Sequence, residues 1–345
     1  MNIPQDTVEV RAVHSFDQAS LERYLAAHVE GFEGPLAVRQ FDGGQSNPTY
    51  YLADANREYV LRRKPPGRLQ PSAHAVDREY RVITALRDTG VPVPRTYALC
   101  EDPEVIGTIF FVMEFVAGRI FRVPHMPDLS PAERGPIVRA MVETLAKLHQ
   151  VDPGAVALEG FGRSGEYVNR QIARWSKIYR ASETRHIPAM ERLLEWLPEN
   201  VPDMDETTVI HGDFRLGNLI VHPTEPKIVA VLDWELSTLG HPLADLAYNC
   251  LLYRLDAELS GMEQLDLVAL GMPTEADCVD IYRNLTGRES IPDWEFYLAF
   301  SMFRLAAISQ GIMGRVRDGT ASAADADKHG DRAPLLAQAA WAIIA

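Results

Sequence analysis

Cysteine is scarce in this chain: Cys100, Cys250 and Cys278 are odd in number, far apart and without a Cys-x-x-Cys pair. That excludes a disulfide framework and a cysteine-built zinc site, and the three read as reduced, buried thiols. Basic charge is short as well, with 34 Lys and Arg against 48 Asp and Glu and a net charge of −14. A polyanion would meet a repulsive average field, so no nucleic-acid partner is expected. No run approaches the roughly 18 apolar residues of a membrane span. The opening Met-Asn-Ile-Pro-Gln-Asp has neither the basic start nor the apolar stretch of a secretory signal. No membrane partner is expected, and the cytoplasm is the expected location. Internal repeats are missing too. What the chain does have is length: 345 residues, 46% of them apolar, exceed what one core usually supports, so two domains or one two-lobed domain are expected.

The densest gathering of polar, metal-capable side chains lies between apolar runs from Thr208 to Asp245. Val209 and Ile210 lead into a loop of His211, Gly212, Asp213, Arg215 and Asn218, and Leu219-Ile-Val leads out, so the loop projects from a buried ribbon. Asp213 and Asn218 are five apart, and Asp233 closes the next apolar run, Ile228 to Leu232. The turn His222-Pro-Thr-Glu-Pro-Lys lets the two runs pair antiparallel, which returns Asp233 to the neighbourhood of Asn218. One carboxylate to orient a hydroxyl, with an amide oxygen and a second carboxylate to hold Mg²⁺, are the parts phosphoryl transfer requires. Taken singly, each of these residues reads equally well as a turn or a solvated cap. The spacing of the whole set is what points to chemistry.

His211-Gly-Asp213-x-x-x-x-Asn218 followed by Asp233-Trp-Glu235 resembles the aminoglycoside phosphotransferase family, the small-molecule branch of the protein-kinase-like fold. The closest form of the resemblance is to the kinase domain joined to acyl-CoA dehydrogenases in larger animal proteins. Gly43-Gly-Gln-Ser-Asn-Pro-Thr, Val60-Leu-Arg-Arg-Lys and Asp77-Arg-Glu-Tyr carry it, and it extends over residues 38 to 310. It implies an α+β, protein-kinase-like two-lobe fold, with a small antiparallel β N-lobe and a mainly helical C-lobe. Nucleotide would lie in a cleft between the lobes, with ATP or GTP as donor and Mg²⁺ as cofactor. Asp213 is implied as catalytic base or hydroxyl-orienting group. Asn218 and Asp233 are implied as magnesium ligands, and Glu235 would reach the metal through water. His211 is expected to hold the loop and Asp245 to tie it down, with His222 and His241 as bystanders.

The remaining implied contacts lie earlier in the chain. Gly43, Gly44, Ser46 and Asn47 fall in a hairpin where missing Cβ atoms would let backbone N–H groups approach a triphosphate. In Tyr59 to Lys64, alternation puts Leu61 and Arg63 on one face and Val60, Arg62 and Lys64 on the other. Either Arg62 or Lys64 is then the cation for the phosphates, with Glu79 on the helix from His74 to Asp88 as its implied partner. The backbone of Glu114 and Val116 would read the adenine edge. By domain, residues 1–35 read as an N-terminal arm and helix, with 1 to 15 mobile. Residues 36–116 read as the N-lobe and 117–345 as the C-lobe. Helices are expected near 130–151, 164–182, 188–197, 274–288, 293–317 and 333–344, with a linker over 319–331.

The acceptor is read from Arg170, Arg174 and Lys177, whose helical offsets of 0, 4 and 7 place them on one face. A cationic face repels a polycationic aminoglycoside and attracts the phosphates of a CoA thioester. The expected acceptor is therefore an anionic small molecule with a hydroxyl, and the resemblance to the kinase domain joined to acyl-CoA dehydrogenases implies a hydroxyacyl-CoA. An aminoglycoside, another amino sugar or a choline-type alcohol is the alternative. The kinase-like lobes account for the 345 residues, so no dehydrogenase half is expected in this sequence. A nucleotide-binding pseudokinase would lack Asp213, Asn218 or Asp233, and all three are present. A metallophosphoesterase would need further His and Asn ligands that the helical second half does not supply. A monomer or homodimer is expected.

Overall fold

In the computed structural model, which describes residues 4, 6–42, 47–65, 75–319 and 326–345, the chain forms two compact units. One is Met1–Gly118 with Val229–Leu236; the other is Arg119–Ile228 with Ser237–Ala345. Residues Gly43, Gly44 and Ser46 of the expected glycine hairpin, and 320–325 of the expected linker, lie outside the described residues.

The first unit is built on β1 (Thr7–Val8), β2 (Ala37–Phe41), β3 (Thr49–Ala53), β4 (Glu58–Arg63), β5 (Thr96–Cys100) and β6 (Phe110–Glu114), with helices α1 (Gln18–His28) and α2 (Val76–Leu86). The strands form one sheet in the order β1-β2-β3-β4-β6-β5, every neighbour antiparallel. Asp17 starts α1 by accepting the Ser20 N–H at 3.1 Å, satisfying one of the donors a helix start leaves unpaired. Leu21 and Leu25 of α1 pack with Tyr50, Tyr59, Leu61 and Phe110 in one apolar cluster.

The start of the chain corrects the expectation of a mobile arm, because Thr7 and Val8 pair with Phe41 and Gln40 as an edge strand. The reason lies partly in Arg63. Alternation along β4 turns this side chain to the same face as Leu61, where it is 2% exposed. A buried guanidinium needs acceptors, and it finds them in the carbonyls of Ile106 (3.2 Å) and His14 (3.1 Å). Residues before 36 thus belong to the first unit, and so do Val229–Leu236.

Later in the chain come α3 (Pro131–His149), α4 (Tyr167–Ser182), α5 (Pro188–Glu199), the short strands β7 (Thr208–Ile210), β8 (Leu219–Val221), β9 (Ile228–Val231, of which only Ile228 belongs to the second unit) and β10 (Thr238–Gly240), then α6 (Pro242–Cys250), α7 (Glu275–Leu285), α8 (Trp294–Arg317), α9 (Ala326–Gly330) and α10 (Ala333–Ile344). Helix α3 opens on the Ser130–Glu133 capping box with proline at its first position. Helix α8 is the centre of the second unit, packed by α10, α4 and α6. Among the described residues it is the one helix long and apolar enough to cross a membrane by length and composition, and 78% of its apolar window is buried inside the protein. The search for an unbroken apolar run missed it because Ser301, Arg304, Ser309 and Gln310 interrupt the stretch.

Candidate active site

In the first unit the site is assembled around Arg62. Pleating turns Arg62 to the face of β4 opposite Arg63, and α2 brings Glu79 against it: Arg62 Nη1 lies 3.0 Å from Glu79 Oε1 and Nη2 3.2 Å from Asp233 Oδ1. The Arg62, Glu79 and Asp233 side chains are 11%, 1% and 35% exposed. Burial works against the charge on Arg62, but Glu79, Asp233 and Glu235 outweigh it and raise its pKa. Burial pushes Glu79 up to about 7, opposed by Arg62 and reinforced by Asp233 and Glu235. Three carboxylates around one guanidinium leave surplus negative charge on hard oxygen donors, a set that suits a divalent cation such as Mg²⁺. Of the two candidate cations, Arg62 is joined to Glu79, whereas Lys64 lies 3.6 Å from Asp77 in a more exposed pair.

Asp233 adopts the left-handed backbone conformation, φ +66°, which a non-glycine residue enters at a cost of about 1–2 kcal/mol. Such strain collects at functional positions held by their surroundings. Trp234 supplies that hold: it is 1% exposed and its indole N–H donates to the Val231 carbonyl at 2.9 Å. β9 ends at Val231, and Trp234–Leu236 is a 3-10 turn, so Glu235 does not continue a strand with Asp233. Asn47 is buried. Glu114 ends β6, its exposed carboxylate accepting the Arg95 N–H at 3.1 Å, and Val116 follows outside the strand.

In the second unit, β7 pairs with β10, Ile210 opposite Thr238, and releases the polar loop at His211. Asp245, on the first turn of α6, accepts the His211 N–H through Oδ2 (2.7 Å) and the Gly212 N–H through Oδ1 (2.9 Å). Burial alone would raise the Asp245 pKa, but the hydrogen bonds from His149 and the His211 backbone hold it below the usual range. Gly212 has φ +83°, a conformation free to glycine and costly to other residues. His211 is fully buried and its Nδ1 accepts the Asp213 N–H at 3.2 Å. His241 caps α6, its Nδ1 accepting the Leu243 N–H at 3.2 Å.

Asp213 is thereby presented on a fixed backbone, and both carboxylate oxygens are engaged. Asn218 Nδ2 donates to Oδ2 at 2.9 Å, Arg215 Nε lies 3.2 Å from the same oxygen, and the Tyr248 hydroxyl donates to Oδ1 at 2.5 Å. Asn218 uses its amide N–H on Asp213, so its oxygen is the end suited to a cation. Arg304 donates to the Gly212 carbonyl at 2.7 Å, and its guanidinium lies over the Tyr248 ring at 5.4 Å.

Tyr248, Arg304 and His149 escaped the sequence reading. Tyr248 follows Asp245 by three positions on one helix and so shares its face. Arg304 is a lone cation inside an apolar helix, a usable signal. His149, at the end of α3 with Nε2 3.3 Å from Asp245, has none.

The expected cationic stripe on α4 is only partly a free face. Arg174 and Lys177 are exposed, but Arg170 is half-buried and donates back to the Arg163 carbonyl at 2.6 Å. A cavity of about 370 Å³ in the second unit has Tyr248 and Arg215 in its wall. Its lining is chiefly apolar, including Met141, Leu216, Leu252, Ile308 and Leu336. Arg122, Arg215 and Arg332 also border it, and no carboxylate does among the described residues.

The model of a phosphotransferase enzyme family matches residues 37–272. Acyl-CoA dehydrogenase family member 10 of Mus musculus is 47% identical over 340 residues, 97% of this chain and 32% of its own length. Acyl-CoA dehydrogenase family member 11 of Homo sapiens is 47% identical over 327 residues, 93% of this chain and 42% of its own. The chain thus spans well under half of the curated relatives it matches. A solved Ralstonia eutropha structure assigned to the aminoglycoside phosphotransferases is 50% identical and superposes with a TM-score of 0.89, over 95% of this chain and 98% of that one. An aminoglycoside phosphotransferase in ternary complex with ADP and hygromycin B shares the fold at a TM-score of 0.61 and 15% identity, over 94% of this chain and 99% of that one.

Proposed function

Because the chain belongs to the phosphotransferase enzyme family and has its protein-kinase-like α+β fold, we propose that it transfers the γ-phosphate of ATP to a hydroxyl of an anionic, apolar small molecule, a hydroxyacyl-CoA. The observation that carries the reaction type is Arg62 bridging Glu79 and Asp233, partners 17 residues downstream and 171 residues downstream. That is the ion pair and metal carboxylate a kinase-type nucleotide site uses. GTP is the alternative donor. A family relative of the same fold binds ADP, which supports nucleotide use.

In this reading Arg62, held by Glu79, binds the α- and β-phosphates, with Asn47 near the glycine hairpin and the backbone of Glu114 and Val116 on the adenine. Asp233 and Asn218 would hold Mg²⁺, with Glu235 nearby, and the ion would neutralise charge on the phosphates. The acceptor hydroxyl donates its hydrogen bond to Asp213. Its oxygen forms the new P–O bond as the bond to the leaving oxygen breaks, ADP departs with that electron pair, and the proton passes to Asp213. Positioning and charge neutralisation supply most of the rate in such transfers.

The acceptor class rests on the cavity beside Asp213. An apolar lining with three arginines and no carboxylate of its own suits an acyl chain bearing anionic groups better than a polycation. Arg174 and Lys177, exposed on α4, would meet further phosphates of such an acceptor. The donor side is tested by calorimetry: Asp233→Ala is expected to remove the Mg²⁺-dependent part of ATP affinity, and an unchanged Mg²⁺ effect would put the metal elsewhere.

A further inference from the structure

Asp213 is held by a residue outside its own loop. Tyr248 lies on α6 one turn after Asp245, so the helix that fixes the backbone of His211 and Gly212 also presents a phenol to the side chain of Asp213. The two carboxylate oxygens are divided between partners: Asn218 and Arg215 take Oδ2, and Tyr248 donates to Oδ1. The Tyr248 ring is fixed in turn by the Arg304 guanidinium over it, and Arg304 is anchored on the Gly212 carbonyl. Tyr248 also lines the apolar cavity.

We propose that Tyr248 is a positioning residue for phosphoryl transfer, fixing the Asp213 rotamer and leaving the second lone pair of Oδ1 as the acceptor's hydrogen-bonding point on the cavity side. A carboxylate oxygen has two lone-pair sites, so the phenol and the acceptor alcohol bind Oδ1 together. Oδ2, with two donors already on it, is closed to the acceptor. The inference rests on the phosphotransferase reading, and its test separates the two.

Tyr248→Phe keeps the ring under Arg304 and deletes only the hydroxyl. The expected result is a kcat lower by about 10- to 100-fold, the scale of a misplaced catalytic group. KM for ATP, Mg²⁺-ATP affinity and thermal midpoint should be unchanged, and the acceptor KM should move by less than about threefold. A group acting through Asp213 also gives non-additive losses, so adding Tyr248→Phe to Asp213→Asn is expected to lower residual transfer no further. Full kcat in Tyr248→Phe, or multiplying losses in the double variant, overturns the positioning role while the phosphotransferase reading stands. Wild-type transfer by Asp213→Asn overturns both.

Discussion

At the scale of single residues, the account depends most on Asp213. An amide in its place keeps the shape and the Asn218 contact region but cannot take the acceptor proton. Asp213→Asn is expected to lower kcat by at least about 100-fold, within the range of positioned acid–base groups, with Mg²⁺-ATP affinity retained. Initial rates and calorimetry on the same preparation check this, and retention of more than about a tenth of kcat would remove Asp213 from the chemistry. Glu79 makes a different prediction. Burial raises its pKa from 4.5 to about 7, so the folded protein holds this proton more tightly than the unfolded chain. The associated stability is complete below the unfolded pKa and is lost as pH rises towards 7, amounting to roughly 3 kcal/mol at most. Without Mg²⁺, urea melts of Glu79→Gln between pH 5 and 7 should be flatter with pH than those of the wild type. Parallel curves would mean that the pair with Arg62 keeps Glu79 ionised throughout.

At the scale of elements, the loop that carries Asp213 is held mainly by α6. Asp245→Ala would leave the buried N–H groups of His211 and Gly212 and the His149 ring without their acceptor, at about 1–3 kcal/mol for each unsatisfied group. A lower unfolding midpoint and a large loss of kcat are expected together; loss of activity with an unaltered midpoint would argue against a structural role. This element also shows what the sequence could convey. Alternation in β4 separated Arg62 from Arg63 correctly, because a strand's side-chain period is two and survives any tertiary arrangement. The capping box of α3 and the helix of 333–344 were legible for similarly local reasons. The role of residues before 36 was not, because an edge strand of two residues has no periodicity and the carbonyl of His14 is recruited by an arginine 49 residues away. The 3-10 turn at Trp234–Leu236 was hidden too, since an Asp with φ +66° leaves no mark in composition. Tyr248 met the rule for sharing a helix face with Asp245, but the rule does not say what that face touches.

At the scale of the whole molecule, the average charge and the cavity point to opposite acceptors. The chain carries −14, yet the described residues that line the 370 Å³ cavity include three arginines, Arg215 among them paired with Asp213, and no carboxylate, so the lining's own charge is opposite in sign to the average. The overall charge would favour a polycation and the cavity disfavours it; the local term is expected to win because screening suppresses charges more than about 10 Å away. The measurement that tests this most directly is kcat/KM for phosphate transfer from Mg²⁺-ATP, compared across hydroxyacyl-CoAs of several chain lengths, kanamycin, choline and simple sugars. The account predicts transfer to a hydroxyacyl-CoA at least about 100-fold better than to any polycation, a difference of about 2.7 kcal/mol in transition-state binding. Preferred phosphorylation of kanamycin, or Mg²⁺-ATP turnover with no transfer to any acyl-CoA, would contradict it.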